Sequence, residues 1–500
     1  MTRAAKFSLI FPWERTLLLI GFILRLRQYF SGRSLWADEA MLALNIVTRS
    51  FSQLFQPLDY DQGAPLGFLL VEKLFNVTFG RTEFVLRLFP LLAGLASLWL
   101  FYLLLTTLRG EAERRGGNLL AFALFAVNPQ LVYYSSESKQ YIMDVAVTLG
   151  LLVLAIRVFQ NEASGKSLRL LGVAGIFGLW FSYPALFVLV GIGIALVIHF
   201  FQKQDFPNLR RTIFIGVLWL ANLALLYFIS LRTLSQNEYL ANYWADGFIS
   251  LPLWSNLNWL ADLLLYQFDV RFVPLLVLVL ILGGWVMLFR EQRSLALVFV
   301  LTALFAFTAS VLRLYPVSGR LSLFLIPPGI LLFGKAIEFM QKMFAFNKFA
   351  SAAMTILLSG YVLISPLSTS FENFTSPKYY EHIRPTMQVL SDSWKDGDAL
   401  FVTAWAEPAF KFYAPFYRLD GVEVVSTEIE DYPSGDQLKS RLDPLIGRKR
   451  VWVLFSHVYE QGGLNERDTL VAHLDSIGEK RREILNSGTS VYLFLYDLSK

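Results

Sequence analysis

The 500-residue chain has no cysteine, which excludes disulfides, a thiol nucleophile and any metal centre built on thiolates. Histidine is nearly as scarce. His199, His382, His457 and His473 are the only four, and their scatter speaks against a histidine-ligated metal. Charge is thin as well: Asp, Glu, Lys and Arg together make 17% of the chain. The net charge of +5 comes from short basic clusters between apolar runs, so no nucleic-acid partner is expected. Neither a P-loop nor a glycine-rich dinucleotide fingerprint occurs.

What the chain has in excess is apolar surface. Hydrophobic residues make 55% of it, and Phe, Trp and Tyr alone make 15%. Apolar runs recur through 1–366, the composition of a polytopic membrane protein. The spans expected are 14–31, 83–108, 118–134, 140–160, 168–182, 184–201, 212–231, 273–289, 294–312, 321–341 and 350–366, about eleven in all. Most approach the ~20 apolar residues a bilayer requires; 168–182 is short. The first run has no small-residue cleavage site behind it and is expected to stay as a helix. The run 65–79 is not expected to span, because Glu72 and Lys73 sit in its middle. Charges at mid-bilayer cost roughly 2.5–3.5 kcal/mol each. A helix lying in the outer interface leaves both in water.

With the N-terminus in the cytoplasm, the inner segments are 1–13 (Arg3, Lys6), 109–117 (Arg109, Arg114, Arg115), 161–167 (Lys166), 202–211 (Lys203, Arg210, Arg211), 290–293 (Arg290, Arg293) and 342–349 (Lys342, Lys348). All are basic, as the positive-inside rule requires. The inner loops are too short for even one βαβ unit of ~30 residues, so a nucleotide sugar or ATP is not an expected substrate. The outer segments 32–82 and 232–272 are long. After Pro366 the chain turns polar. Short β-type runs at 399–403, 422–425, 451–455 and 491–495 alternate with helix-like stretches near 378–394, 434–445 and 464–476. The expected organisation is a mainly α transmembrane catalytic domain over 1–366, with interfacial helices, and an extracytoplasmic α/β domain over 370–500. The expected location is the plasma (inner) membrane.

Four outer stretches carry candidate chemistry. Trp36-Ala37-Asp38-Glu39-Ala40 opens an amphipathic helix over 36–49, with apolar residues at 36, 40, 41, 44 and 47. Its two acids are either reactive groups or first-turn acids that complement the helix dipole. Asp59-Tyr60-Asp61-Gln62-Gly63-Ala64-Pro65-Leu66 leads into the interfacial helix, with Pro65 suited to its first turn. Tyr133 to Tyr141 gathers Glu137, Lys139 and several aromatics, which also fit an interfacial aromatic belt. Asp144 lies one turn into the next span, where an acid must be paired or face a cavity. Arg313 to Arg320 puts two arginines outside, suited to phosphate or to interfacial snorkelling. Arg25, Arg27 and Arg87 raise the same alternative.

In order and topology these pieces resemble the GT-C glycosyltransferases, in the branch of the protein O-mannosyltransferases and the aminoarabinose transferase of lipid A. The matching pieces are Asp38-Glu39, Pro65-Leu66-Gly67-Phe68, Glu83 to Pro90, Glu137-Ser138-Lys139-Gln140-Tyr141, Arg320 and the outer C-terminal domain. Gly63-Ala64-Pro65 and Lys139-Gln140-Tyr141 depart from the His-Pro-Pro and Arg-Pro-Tyr often found there. The resemblance implies inverting transfer of a sugar from a polyprenyl-phosphate carrier to a lipid, glycan or protein acceptor on the outer face, among membrane lipids. It implies Asp38 as general base. Glu39 and Glu137 would orient base or acceptor, or hold a divalent metal if one is used. Lys139, Arg320 and Arg87 would bind the donor phosphate, with Tyr141, Asp144 and Asp61 in the same pocket. The rival reading is a transporter or flippase of lipid-linked saccharides, against which stands the lack of an internal sequence repeat.

Overall fold

The computed structural model describes residues 12–108, 115–160, 165–270, 273–426, 434–461, 463–486 and 488–499. Of the basic topology markers, Arg3, Lys6, Arg109 and Arg114 lie outside the described residues.

The apolar runs fold as a helical bundle. Its helices are α1 (Pro12–Tyr29), α2 (Ala37–Thr48), α3 (Leu66–Phe79), α4 (Glu83–Leu108), α5 (Arg115–Val127), α6 (Pro129–Tyr134), α7 (Tyr141–Gln160), α8 (Gly165–Phe181), α9 (Ala185–Gln202) and α10 (Phe206–Leu226). They continue with α11 (Leu257–Phe268), α12 (Pro274–Glu291), α13 (Arg293–Val311), α14 (Ile326–Met343) and α15 (Lys348–Thr375). Eight helices among the described residues are long and apolar enough to cross a membrane. Residues such as Phe228, Phe349 and Ile364 are turned outward on them, as lipid-facing side chains should be. The expected spans at 14–31, 118–134 and 168–182 are not among the eight. α1 carries Glu14, Arg15, Arg25 and Arg27, and α8 has 17 residues. The run 118–134 is broken in two, because Asn128 accepts from the Leu131 amide at 3.0 Å and Pro129 starts a new helix.

The run 65–79 folds as α3, outside the eight. Glu72 and Lys73 are nonetheless not in water, contrary to expectation: both are buried. The Lys73 Nζ donates to the carbonyls of Ile46 at 2.9 Å and Val47 at 3.3 Å, at the C-terminal end of α2, where a cation meets the negative end of the dipole. Burial pushes the Glu72 carboxyl well above its usual range.

The polar C-terminal part forms a five-stranded sheet. Its strands are β1 (Ala399–Val402), β2 (Val424–Ser426), β3 (Val451–Phe455), β6 (Glu479–Leu485) and β7 (Tyr492–Asp497); Glu460–Gln461 (β4) and Leu464–Asn465 (β5) make a separate two-residue ladder. The order is β2-β1-β3-β7-β6, parallel across β2-β1-β3 and antiparallel at β7 and β6. Alternation sorts the faces. Leu400, Val402, Trp452, Leu454, Leu493 and Leu495 share one core with α2 and α3, whereas Phe401, Val453, Phe455, Phe494 and Tyr496 share another with Leu470 and Leu474. The sheet thus packs directly on the first outer helices of the bundle, and α15 runs through Pro366 to Thr375 before the polar part begins. β6 is the strand that the sequence reading lacks. Its Glu-Lys-Arg-Arg-Glu run is exposed because it forms the sheet edge, where charge blocks pairing with other chains.

Bundle helices meet at glycines. A Cβ on Gly284 of α12 would lie 1.9 Å from the Leu332 carbonyl oxygen of α14, so the two backbones touch there. Gly284→Ala is expected to force α12 from α14 and destabilise the protein by about 1–3 kcal/mol, read as a lower thermal midpoint in detergent. Gly283→Ala, where a Cβ meets nothing within 4 Å, is the control and should leave the midpoint in place.

Candidate active site

The site is built around the start of α2. Asp38 and Glu39 are consecutive on a helix, so their side chains leave it roughly a quarter-turn apart. Glu39 turns inward. Arg87 of α4 meets it in a fork, Nε to Oε1 at 2.9 Å and Nη2 to Oε2 at 2.5 Å, and the Ser138 amide donates to Oε1 at 2.7 Å. The same guanidinium donates to the carbonyls of Arg33 at 2.7 Å and Ser34 at 3.1 Å. One buried ion pair therefore ties together α2, α4, the loop before α2 and the loop before α7.

Asp38 turns toward a cavity of about 1240 Å³. Lys139 Nζ lies 2.8 Å from its Oδ1 and Arg320 Nη2 lies 2.8 Å from its Oδ2. Lys139 also donates to Gln62 Oε1 at 2.6 Å. The Arg320 guanidinium sits among three rings, with centroids at 5.4 Å (Trp36), 5.2 Å (Tyr141) and 5.5 Å (Trp244), an arrangement that holds a cation against its own desolvation. Burial alone would raise the Asp38 carboxyl; Lys139 and Arg320 overcome it and hold Asp38 at about 2, ionised across the physiological range. Beyond this cluster the wall is mixed: Leu179, Leu186, Leu223, Leu226, Leu231 and Leu321 form an aliphatic stretch, and Tyr183, Asn237, Glu407 and Lys411 add polar groups elsewhere.

Glu137 is the contrasting acid. It is 1% exposed, and neither carboxyl oxygen makes a hydrogen bond to the described residues. Burial, then the charge of Glu39, push it up to about 7. It faces a second cavity of about 600 Å³. Trp36, Arg320 and His457 border both cavities.

The expected residues therefore fall into groups. Asp38, Lys139, Tyr141, Arg320 and Asp61 line the first cavity, Asp61 accepting from Asn237 Nδ2 at 2.6 Å. Glu137 lines the second. Glu39 and Arg87 stand behind the wall, engaged with each other. Asp144 is buried one turn along α7 from Tyr141, also behind the wall. Arg25 is buried and donates to the carbonyls of Gly21 and Ala126, and Arg27 lies 6.0 Å from the Phe374 ring; neither lines either of these two cavities. Glu39 and Glu137 do not fit a divalent metal. Both Glu39 oxygens are taken by Arg87 and the Ser138 amide, and the described residues gather no group of three His, Asp or Glu.

Several wall residues carried no signal in the sequence. Trp244 comes from an irregular segment and His457 from just beyond β3; Gln62, which also lines the wall, lies in the 59–66 stretch but was not itself an expected site residue. His457 Nδ1 is 2.5 Å from Glu381 Oε1, and Glu381 Oε2 accepts from the Ala37 amide at 2.8 Å, one residue before Asp38. Burial would lower the His457 ring; the Glu381 carboxylate more than offsets this and raises it. Only the tertiary fold brings these residues within reach of the start of α2.

No protein family and no curated protein matches the chain by sequence. Solved structures match its fold. ArnT from Cupriavidus metallidurans in the apo state, an aminoarabinose transferase, superposes with a TM-score of 0.53 at 14% identity, over 97% of each chain. ArnT from the same organism bound to undecaprenyl phosphate gives the same values. The apo oligosaccharyltransferase of Archaeoglobus fulgidus superposes with a TM-score of 0.52 at 12% identity, over 91% of this chain and 70% of that one. The chain is a multi-pass membrane protein with the GT-C fold, as its sequence resemblance implied.

Two stability predictions follow from the buried acids. Arg87→Met leaves Glu39 charged and unpaired, and is expected to cost about 3–5 kcal/mol, measured as a lower thermal midpoint in detergent. For Glu137, the folded protein holds its proton up to about 7, whereas the unfolded chain releases it near 4.5. Between those values the folded state binds more protons, so stability from this group falls as pH rises. Glu137→Gln should therefore raise the midpoint above about pH 7, with the gain fading toward about pH 4.5.

Proposed function

We propose that this protein is a glycosyltransferase that moves a sugar from a polyprenyl-phosphate carrier to an acceptor on the extracytoplasmic face of the plasma membrane. The observation that carries the reading is the Asp38–Lys139–Arg320 cluster in a large cavity whose wall includes a long aliphatic stretch. A lipid phosphate has that same division, a long apolar tail and one anionic head. The fold shared with ArnT, one of whose structures holds undecaprenyl phosphate, supports the same donor class.

In this reading Lys139 and Arg320 take the donor phosphate, which draws them partly away from Asp38. Loss of two cationic neighbours raises the basicity of Asp38. Asp38 then accepts the proton of the acceptor hydroxyl as its oxygen attacks the anomeric carbon. The bond from that carbon to the phosphate oxygen breaks, and the configuration inverts. The carrier leaves as a phosphate monoester with one more negative charge, which Lys139 and Arg320 stabilise. Arg320 is already desolvated among its three rings, so it meets that charge without reorganising solvent. Glu39 and Arg87 act as positioning residues that hold Asp38 and the Lys139 loop in register. Tyr141 and Asp61 shape the pocket, and Asp144 supports its wall. Glu137 orients the acceptor.

The orientation follows the charges. Lys203, Arg210, Arg211, Arg293 and Lys348 flank short turns at the helix ends opposite Asp38, which suits a cytoplasmic face and a cytoplasmic N-terminus. Residues 1–366 then form the transmembrane catalytic domain, and 370–500 an extracytoplasmic domain that helps to wall the site.

Purified protein in lipid nanodiscs tests the assignment. Lys139→Ala and Arg320→Ala are each expected to weaken undecaprenyl-phosphate binding at least about tenfold, equivalent to ~1.4 kcal/mol. Asp38→Asn removes the carboxylate that competes for both cations, so binding should hold or tighten while turnover with a polyprenyl-phosphate sugar falls about 10²–10⁴-fold. Near-full turnover in Asp38→Asn sinks the base assignment.

A further inference from the structure

The second cavity differs from the first in its chemistry. None of its lining residues is Leu, Ile, Val, Met or Phe. Its wall holds Tyr133, Tyr134, Tyr266 and Tyr380, interleaved with amide, hydroxyl and carboxyl groups. Three of those polar side chains keep hydrogen-bonding capacity that the described residues do not use: both oxygens of Glu137, Thr369 Oγ1 and Asn373 Oδ1. An acyl chain fits such a wall poorly, since it would desolvate the polar groups without pairing them. A carbohydrate ring suits it, because its C–H face lies on aromatic rings while its hydroxyls reach the polar groups. The volume of about 600 Å³ is within the usual range of small-ligand sites.

The position of the cavity matters as much as its lining. Thr369 and Asn373 are near the C-terminal end of α15 and Tyr380 is in the link to the sheet, so the cavity lies between the bundle and the C-terminal part. It meets the first cavity at Trp36, Arg320 and His457, and Arg320 is bonded to Asp38. Two substrates held in the two cavities would therefore approach the Asp38 cluster from different sides. That suits a single displacement, in which nucleophile and leaving phosphate must be opposed.

We propose that the tyrosine-lined second cavity is the acceptor chamber and that the acceptor group it takes is a carbohydrate ring, so the product is a sugar-to-sugar linkage. This rests on the glycosyltransferase reading above and adds the acceptor class. Glu137, Thr369 and Asn373 hold hydroxyls of the acceptor sugar, and the hydroxyl left free points past Trp36 and Arg320 toward Asp38. The new bond joins that oxygen to the anomeric carbon of the donor. Its proton goes to Asp38, and the carrier phosphate departs with the electron pair of the broken bond.

The test is glycosyl-linkage analysis of envelope material from cells with and without the gene, complemented by wild type, Asn373→Leu or Ser490→Trp. Undecaprenyl-phosphate binding by each purified full-length protein is measured alongside, as the check that the variants fold. Without the gene, one terminal sugar should vanish and the sugar beneath it should gain one free hydroxyl. Wild type should restore the linkage. The two chamber variants should restore it at least about tenfold less well while binding undecaprenyl phosphate within about twofold of wild type. If a variant loses that binding, Tyr380→Ala takes its place under the same criterion. Loss of a sugar attached to a peptide side chain or to a lipid, or full restoration by the chamber variants, overturns the carbohydrate-acceptor assignment and leaves the transferase reading standing. No change in any linkage overturns the assignment as well; if wild type also fails to bind undecaprenyl phosphate, the transferase reading falls with it.

Discussion

The buried ion pair between Glu39 and Arg87 is the constraint on which the site depends. Both side chains are almost wholly removed from water, so neither tolerates loss of the other. A pair of this kind adds little net stability compared with apolar residues of the same size. What it supplies here is register. Arg87 uses its remaining donors on the carbonyls of Arg33 and Ser34, and Glu39 accepts the Ser138 amide. Three segments far apart in sequence are fixed against one charge centre. Asp38 is the residue next to Glu39, and Lys139 is next to Ser138. Their mutual 2.8 Å contact is set by a pair that itself faces away from the cavity.

A second level of support comes from the C-terminal sheet. One of its faces shares a core with α2 and α3, so the helix that carries Asp38 is clamped between bundle and sheet. The Leu35 amide donates to the Tyr413 hydroxyl oxygen at 2.8 Å, and Glu381 accepts from the Ala37 amide at 2.8 Å. The Glu381 carboxylate thus lies at the positive end of α2 and also carries His457. The polar C-terminal part is therefore a structural wall of the same site, as well as a separate folding layer.

Much of this was legible in the sequence, for reasons tied to particular residues. A membrane makes charge conspicuous. Asp38, Lys139 and Arg320 stood out as charged side chains at the outer ends of apolar runs, and the structure joins these three. The same logic misread Glu72 and Lys73, because a local reading has no way to see that the carbonyl end of α2 waits for Lys73. It ran 118–134 together as one helix although Asn128-Pro129 is a helix start, since hydropathy outweighed the cap. Trp244, His457 and Glu381 were beyond reach. Each sits in an irregular segment or at a strand end, and only long-range packing gives it a neighbour. β6 was missed because an edge strand wears charge, and charge reads as loop.

The environments of Asp38 and Glu137 pull two similar groups apart. Asp38 lies between two cations and stays ionised; Glu137 has no donor to its oxygens among the described residues and is pushed up to about 7. The charge of the cluster can then be followed through the proposed reaction. Lys139 and Arg320 against Asp38 leave one net positive charge, equal and opposite to the single charge of a donor phosphodiester. Once Asp38 has taken the acceptor proton, two positive charges remain, facing a phosphate monoester that has gained a second negative charge. In the proposed reaction the site would be matched to the donor before transfer and to the leaving group after it, and the charge that develops during transfer would be matched by the charge that Asp38 gives up. Removing water from such a site strengthens each of these interactions, which is the advantage of building it from buried residues at the edge of the larger cavity.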